Sequence, residues 1–458
     1  MKGRRVLLVN PWIHDFAAYD LWAKPLGLLS IGAVLRQNGC EVDLIDCLRS
    51  PHPLMDGPGP AVREGGQGKF YRQPIPSPPA LKGFHRRYSR YGVRREVFDA
   101  DLGEVTRPDV ILVTSMMTYW YPGVFETIGC IKRHFPGIPV ILGGAYATLC
   151  TDHARRLSGA DYVLPHEGEM TVLKFLGSLW DTKPDYLPDL NDLDTLPYPC
   201  FDLIKGLRYV CIQTSRGCPY RCTYCASHFL CDKVRRRDPE KVVDEIAFWH
   251  REHGVKDFSF YDDALLTGPG TFAEKLLRGI LSRVPGARFH CPNGLHAREI
   301  TAERASLMRQ AGFATIRIGL ETTDPLRQRQ TGGKVTNDEF IHAMENLHRA
   351  GYNADEIGVY ILCGLPFQEA LEVADAVKFV KAHGGRPMLA EYSPIPHTDD
   401  WEVSVSISSY PLMDEPLFHN NTLLPCRFEG FTYEMYQEIK RSLKEEAGPI
   451  KTFLPGDP

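Results

Sequence analysis

Short apolar runs alternate with amphipathic stretches in two successive parts of the chain. In the first series we predict strands at 5–9, 41–47, 109–115, 139–144 and 161–166. In the second series we predict them at 209–214, 257–261, 287–291, 315–319 and 357–362. Strands that alternate with helices form parallel sheets, because each helix returns the chain to the same end of the sheet. The alternation therefore predicts an α/β protein with a doubly wound, Rossmann-like unit followed by a partial barrel.

The length and the proline distribution predict where these units begin and end. A chain of 458 residues is longer than one ordinary domain. Residues 181–205 are rich in proline and aspartate and lack periodicity, which is typical of a linker. We therefore predict a doubly wound domain at 1–180, a linker at 181–205, a barrel at 206–390 and a C-terminal extension at 391–458. Within the first domain, residues 51–100 predict a long surface excursion.

Charge and hydropathy exclude several classes of partner. The formal net charge of -4 gives no support for binding nucleic acid. No apolar run reaches the roughly 18–20 residues that span a bilayer, and the N-terminus MKGRRVLLVNPW lacks the pattern of a signal peptide. We therefore expect a cytoplasmic protein without a membrane span. In that reducing compartment its 13 cysteines are not expected to form a disulfide framework.

Three cysteines form the strongest local signal in the sequence. Cys218, Cys222 and Cys225 follow the first strand of the second series with the spacing C-x3-C-x2-C, inside TSRGCPYRCTYCAS. Thiolates hold iron–sulfur clusters, and three of them leave one iron of a cubane open. An open iron can chelate the amino and carboxylate groups of a substrate, and electron transfer to an adjoining sulfonium breaks a C–S bond. A zinc site that includes His228 and Cys231, or unliganded thiols, are the alternatives.

The cysteine motif and the strands around it resemble the radical SAM superfamily. This resemblance implies a partial (β/α)6 TIM-like barrel in which Cys218, Cys222 and Cys225 bind a [4Fe–4S] cluster. It further implies that the open iron binds S-adenosylmethionine (SAM) and that a flavodoxin or ferredoxin supplies electrons. The segments FSFYDDALL, FHCPNGLHAREI, IRIGLET and VYILCGLPFQ resemble the SAM-binding segments on later strands. The implied SAM contacts are Tyr224, Asp262 or Asp263, Asn293, Arg298, Gly319, Glu321 and Gly364.

The first domain, with TSMMTYWYPGVFE and ILGGAYATL, resembles the cobalamin-binding domain that precedes many radical SAM domains. Glycines after a buried strand permit close approach of backbone to a ligand. The candidate cobalamin contacts are Ser115, Met116, Thr118, Tyr119, Gly143 and Gly144. The D-x-H-x-x-G motif that supplies a histidine to cobalt is absent, because Asp152-His153 is followed by Ala154. Cobalt is therefore expected to lack a histidine from that position.

Together these resemblances predict a cobalamin-dependent radical SAM enzyme that methylates an unactivated carbon through a 5′-deoxyadenosyl radical. Two alternatives remain open. One is a radical rearrangement, cyclisation or coupling in which cobalamin donates no methyl group, and the other is a non-catalytic cobalamin or redox sensor. The sequence contains no signal for the substrate or for residues that act on it.

Overall fold

The computed structural model describes residues 1–57 and 59–445, and the chain divides into two compact units between Val210 and Cys211. No helix in the described part is long and apolar enough to cross a membrane. The described helices are Leu26–Gln37, Arg95–Glu104, Tyr121–His134, Ala145–Leu149, Thr151–Leu157, Gly168–Leu179, Ser227–Leu230, Pro239–His253, Phe272–Arg283, Ala302–Gln310, Pro325–Gln330, Asn337–Arg349, Ala370–Ala382, Trp401–Ile407 and Tyr433–Glu445.

The first unit contains a parallel sheet of five strands. In chain order these are β1 Arg5–Asn10, β2 Glu41–Asp46, β3 Val110–Val113, β4 Val140–Leu142 and β5 Tyr162–Val163. Their order across the sheet is β5-β4-β3-β1-β2, with every neighbouring pair parallel. The direction of winding reverses between β1 and β3, and ligands of such sheets bind beyond the carboxyl ends of the strands at this reversal. The predicted doubly wound sheet is confirmed.

Apolar side chains of β1 and β3 are buried on both faces of this sheet. Leu7 and Val9 of β1 pack in one core cluster, together with Ile111 and Val113 of β3. Their neighbours in sequence point the other way, because successive strand residues face opposite sides. The second cluster contains the intervening residues Val6, Leu8, Val110 and Leu112. This continuous apolar character is the reason that the strands stand out in the sequence.

The excursion at 51–100 contains short elements that the sequence did not reveal. Arg72–Pro74 and Ser89–Tyr91 join Ile13–Asp15 in an antiparallel sheet of three strands. Gly68–Lys69 pairs with Tyr19–Asp20. Elements of two or three residues are too short to show an alternating pattern, so periodicity could not predict them.

The second unit contains a sheet of six strands that follow one another in chain order. They are β6 Tyr209–Ile212, β7 Asp257–Phe260, β8 Arg288–His290, β9 Phe313–Glu321, β10 Ile357–Cys363 and β11 Arg386–Glu391. Neighbours from β7 to β11 are parallel. Sequential parallel strands with intervening helices have the winding of a TIM-type barrel. The predicted partial barrel is confirmed, and its sixth strand β11 was not among the strands located from the sequence.

Candidate cofactor sites

The three motif cysteines lie on one loop that begins where β6 ends. Cys222 is buried, whereas Cys218 and Cys225 are half-buried. The loop turns tightly, because the backbone N–H of Cys225 donates to the carbonyl oxygen of Cys222 at 3.0 Å. The Cys225 Sγ lies 3.1 Å from the hydroxyl oxygen of Ser227. The loop therefore presents its thiols close to the carboxyl end of a barrel strand, where ligands of such barrels bind.

Asp262, which follows β7, ties down the start of this loop. Its Oδ1 accepts hydrogen bonds from the hydroxyls of Thr214 and Ser215, both at 2.7 Å. Both carboxylate oxygens accept from the Thr214 backbone N–H at 3.0 Å. Burial raises the pKa of the Asp262 carboxyl, although these hydrogen bonds oppose the rise. The carboxylate of Asp262 is thus engaged in positioning the loop, whereas Asp263 is exposed.

Two glycines allow neighbouring segments to approach the cysteine loop closely. Gly217 has φ +81°, and a Cβ there would lie 2.6 Å from the carbonyl oxygen of Lys233. Gly332 has φ +106°, and a Cβ there would lie 2.5 Å from the carbonyl oxygen of Arg221. Side chains are excluded at both positions by these contacts and by the left-handed backbone. Gly217 lies within the cysteine motif itself, whereas Gly332 lies far from it in the sequence and was missed; its signal was the Gly-Gly pair at 332–333.

The ammonium group of Lys334 also lies beside the cysteine loop. Lys334 Nζ lies 2.5 Å from Oε1 of Glu321 and 5.8 Å from the centre of the Tyr224 ring. A Cβ at Gly319 would lie 2.8 Å from the same Nζ. Burial alone would lower the pKa of Lys334, but the Glu321 carboxylate and the nearby thiols of Cys222 and Cys225 raise it. Tyr224, Gly319 and Glu321 are predicted SAM contacts, and all three lie close to a lysine that the sequence interpretation missed.

The remaining predicted SAM contacts are distributed around this group. Asn293 donates through Nδ2 to the carbonyl oxygen of Asp262 at 3.2 Å. Arg298 donates to the carbonyl oxygen of Gly333 at 2.8 Å, and its guanidinium lies 5.3 Å from the Tyr220 ring. At the end of β10, the N–H of Gly364 donates to Oε1 of Gln368 at 2.9 Å, while Tyr224 packs against a buried cluster that contains Leu365.

The electrostatics of the cysteine loop fit an iron–sulfur cluster. Burial raises the pKa of Cys218 to about 11 and also raises that of Cys222. Buried thiols of this kind become thiolates when metal replaces the proton. No three His, Cys, Asp or Glu side chains within 1–57 and 59–445 are placed to hold a single metal ion. In a cubane each thiolate binds a different iron, so its ligands do not converge on one ion. Three thiols on one loop beside a buried ammonium therefore suit an anionic cluster.

In the first unit, the candidate cobalamin residues lie after β3 and β4. The Ser115 hydroxyl donates to the carbonyl oxygen of Gly143 at 2.6 Å and accepts from the N–H of Ala147 at 3.2 Å. Gly144 has φ +94°, and a Cβ there would lie 2.2 Å from the carbonyl oxygen of Ser115. These contacts join the ends of two neighbouring strands. The other candidates differ in exposure: Thr118 and Tyr119 are buried, and Met116 is half-buried.

His153, which follows Asp152 in the sequence, belongs to an aromatic cluster. Its Nδ1 lies 2.6 Å from the hydroxyl of Tyr146, and its ring is 4.8 Å from that of Tyr121. Burial lowers the pKa of His153, which favours the neutral ring. His153 is therefore a hydrogen-bonded member of this aromatic cluster, and whether cobalt lacks a histidine from this position stays a prediction.

Comparison with known protein families identifies a superfamily whose model matches part of the second unit. The profile of the radical SAM superfamily matches residues 212–380, which include strands β7 to β10 and the whole cysteine loop. Residues 212–380 therefore form a radical SAM domain within this chain. A [4Fe–4S] cluster and SAM are the cofactors that this superfamily uses.

Individual relatives extend the similarity beyond this domain. An uncharacterized methyltransferase from Pyrococcus horikoshii is 23% identical over 377 residues, which cover 74% of this chain and 77% of that protein. Cytidylyl-2-hydroxyethylphosphonate methyltransferase from Streptomyces wedmorensis is 25% identical over 382 residues, covering 70% of this chain and 66% of that protein. Among solved structures, TsrM from Kitasatospora setae, determined with cobalamin and a [4Fe–4S] cluster bound, superposes with a TM-score of 0.67. It is 16% identical, and the match covers 98% of this chain and 90% of TsrM, so the two share a fold.

Proposed function

We propose that this protein is a cobalamin-dependent radical SAM methyltransferase that acts on an unactivated carbon. The observation that carries the proposal is the architecture of a single chain: a doubly wound sheet precedes a radical SAM domain, as in TsrM. The names of the two methyltransferase relatives support the same reaction class. The proposal assigns cobalamin to residues 1–180, the cluster and SAM to 206–390, and the substrate pocket in part to 391–458.

In this proposal the chain's own residues hold and orient the cofactors. Cys218, Cys222 and Cys225 would bind the cluster, and Asp262 fixes the loop that carries them. Asp263, which is exposed beside the loop, is the better placed of the two aspartates to meet the amino group of SAM. Lys334 keeps a positive charge beside Tyr224 and Glu321. When bound, the cluster supplies an electron that cleaves SAM, and cobalamin supplies a methyl group.

The reaction also sets requirements on the surroundings of the protein. One electron must reach the cluster for each SAM that is cleaved, so we infer a low-potential donor such as flavodoxin or ferredoxin. Free thiols and an iron–sulfur cluster persist in a reducing compartment, so we infer a cytoplasmic location.

Product analysis tests the proposal directly. The protein is reconstituted anaerobically with iron and sulfide, with or without cobalamin, and then receives SAM and titanium(III) citrate. We expect 5′-deoxyadenosine to form only when the cluster is present, and S-adenosylhomocysteine to form only when cobalamin is also bound. A protein that holds both cofactors but forms no 5′-deoxyadenosine contradicts radical catalysis and favours a sensor. A protein that forms 5′-deoxyadenosine but never S-adenosylhomocysteine favours a radical reaction without methyl transfer.

A further inference from the structure

One arginine next to the cysteine loop has a hydrogen-bond donor that nothing in the described chain accepts. Arg236 lies in the short strand Arg235–Arg236, which pairs antiparallel with Ser215–Arg216. Its partner residue Ser215 lies three residues before Cys218. The Nη2 of Arg236 donates to the hydroxyl of Thr267 at 2.8 Å, and its guanidinium lies 5.6 Å from the Phe272 ring. Its Nη1 is shielded from solvent and has no hydrogen-bond partner. A buried donor in this condition costs free energy unless a ligand provides an acceptor.

The charges around Arg236 indicate what kind of acceptor is missing. No described acidic side chain forms an ion pair with Arg236, whereas the next residue, Arg237, is paired with Glu245. Burial lowers the pKa of Arg236, and the carboxylates of Asp262 and Glu299 together with the Cys218 thiol partly oppose this effect. The segment that leads to Arg235–Arg236 also approaches the start of the cysteine loop, since a Cβ at Gly217 would lie 3.3 Å from Cys231 Sγ. The spare donor therefore lies in the neighbourhood of a proposed cluster ligand.

We propose that Arg236 is a positioning residue whose Nη1 donates to an anionic acceptor that binds beside Cys218. Two acceptors share this chemistry: a sulfur atom of the cluster and the carboxylate of SAM. The inference rests on the proposed function, because both acceptors arrive with the cofactors. A cluster with three thiolates is anionic, and each electron that it gains adds a negative charge. A nearby cation with a free donor stabilises the reduced form and so raises the reduction potential.

A redox titration monitored by electron paramagnetic resonance tests this role in the reconstituted full-length protein. Arg236→Met keeps an unbranched apolar stem that can pack on Phe272 but removes the charge and the donor. Without SAM, we expect the equilibrium constant for reducing the cluster of this variant to fall about tenfold. For a one-electron couple this is a shift of about 59 mV to lower potential. Arg236→Lys keeps the charge and should recover most of this shift. Lys233→Met is the matched control, because it removes one charge from an exposed position two residues before the Arg235–Arg236 strand.

The two possible acceptors predict different results. If the acceptor belongs to the cluster, Arg236→Met shifts the potential in the absence of SAM and Lys233→Met does not. If the acceptor is the SAM carboxylate, the potential without SAM stays unchanged and the affinity for SAM falls about tenfold. Should Arg236→Met fail to retain iron, Arg236→Gln, which can still bond Thr267, provides the same comparison.

An Arg236→Met protein with wild-type potential and wild-type SAM affinity overturns the inference. Equal losses of iron in the Met, Gln and Lys variants also overturn it, because they indicate a purely structural role. These outcomes are distinct from failure of the proposed function. The potential can be measured in a protein that holds a cluster but transfers no methyl group, whereas a wild-type protein without a cluster contradicts both.

Discussion

The two candidate cofactor sites are built in different ways. The cysteine loop is one continuous stretch, tied by Asp262 and enclosed by neighbours that approach Gly217 and Gly332. The candidate cobalamin site instead combines the ends of β3 and β4, which the Ser115 hydroxyl joins. Metal ligation demands fixed residue types at fixed spacing, so the first site has a sequence signature. A large planar cofactor can be held by many backbone and packing contacts, and these leave a weaker pattern.

The largest expected effect comes from removing a proposed cluster ligand. Cys222→Ala replaces a buried thiol of the loop. We expect iron and sulfide content and 5′-deoxyadenosine formation to fall to background, while the first unit still binds cobalamin. Cys231→Ala, which changes a cysteine outside the motif, should retain the cluster. A Cys222→Ala protein with the iron content and turnover of the wild type would show that Cys222 is not a cluster ligand, whereas loss of cobalamin binding in this variant would show that the two sites are not separate.

Asp262→Asn tests whether the loop depends on its carboxylate tether. The amide keeps one acceptor oxygen for Thr214 and Ser215 but replaces the other carboxylate oxygen with an amide donor that faces the Thr214 backbone N–H. A buried donor without an acceptor should lower the free energy of unfolding by about 3 kcal/mol. Urea unfolding measures the loss. Asp263→Asn is the control, because its exposed side chain should affect SAM affinity far more than stability; equal destabilisation by both variants contradicts the distinct roles.

Gly144→Ala tests the equivalent close contact in the first unit. The new Cβ would lie 2.2 Å from the Ser115 carbonyl oxygen at a residue with φ +94°. We expect a loss of about 3 kcal/mol in stability and weaker cobalamin binding, with the cluster unaffected. At Gly143 the nearest atom to a new Cβ would be 3.5 Å away, so Gly143→Ala should be much milder. Cobalamin titration followed by absorbance compares the two variants, and equal affinities would contradict this account.

Acid should weaken the second unit through His296, whose ring stacks on Tyr220 of the cysteine loop. Burial, helped by Lys334 and Arg298, lowers the pKa of His296 from 6.5 to about 3. As the pH falls from 7 to 5, the unfolded chain takes up a proton that the folded chain resists, so stability decreases by about 2 kcal/mol. Urea unfolding at both pH values should show a shallower decrease for His296→Asn. An unchanged pH dependence in that variant would exclude His296 as the cause.

Ser115→Ala should have the smallest effect. The hydroxyl already bonds Gly143 and Ala147, so its removal should lower stability by about 1 kcal/mol and change cobalamin affinity little. Calorimetric unfolding and cobalamin titration check the two parts of this prediction. A large loss of affinity with little loss of stability would instead indicate that the hydroxyl contacts cobalamin directly.

Local patterns explain what could be predicted from the sequence. The core strands were located because they are continuously apolar, as in β1 and β3, and the cysteine loop was found because its ligands are neighbours in the chain. In contrast, β11 reads RPMLAE and is half-buried throughout, so neither hydrophobicity nor alternation marks it. Lys334 and the spare donor of Arg236 depend on contacts between distant segments, which a spacing pattern does not contain. The predicted domain boundaries and cofactor contacts stay predictions.

The central claim is that three thiolates leave one iron free to chelate SAM. Electron–nuclear double resonance on the reduced protein, with SAM labelled with 15N in its amino group, tests this claim most directly. The account predicts a hyperfine coupling between the cluster and the labelled nitrogen, present in the wild type and in Cys231→Ala. A reduced cluster that shows no coupling at saturating SAM would contradict it.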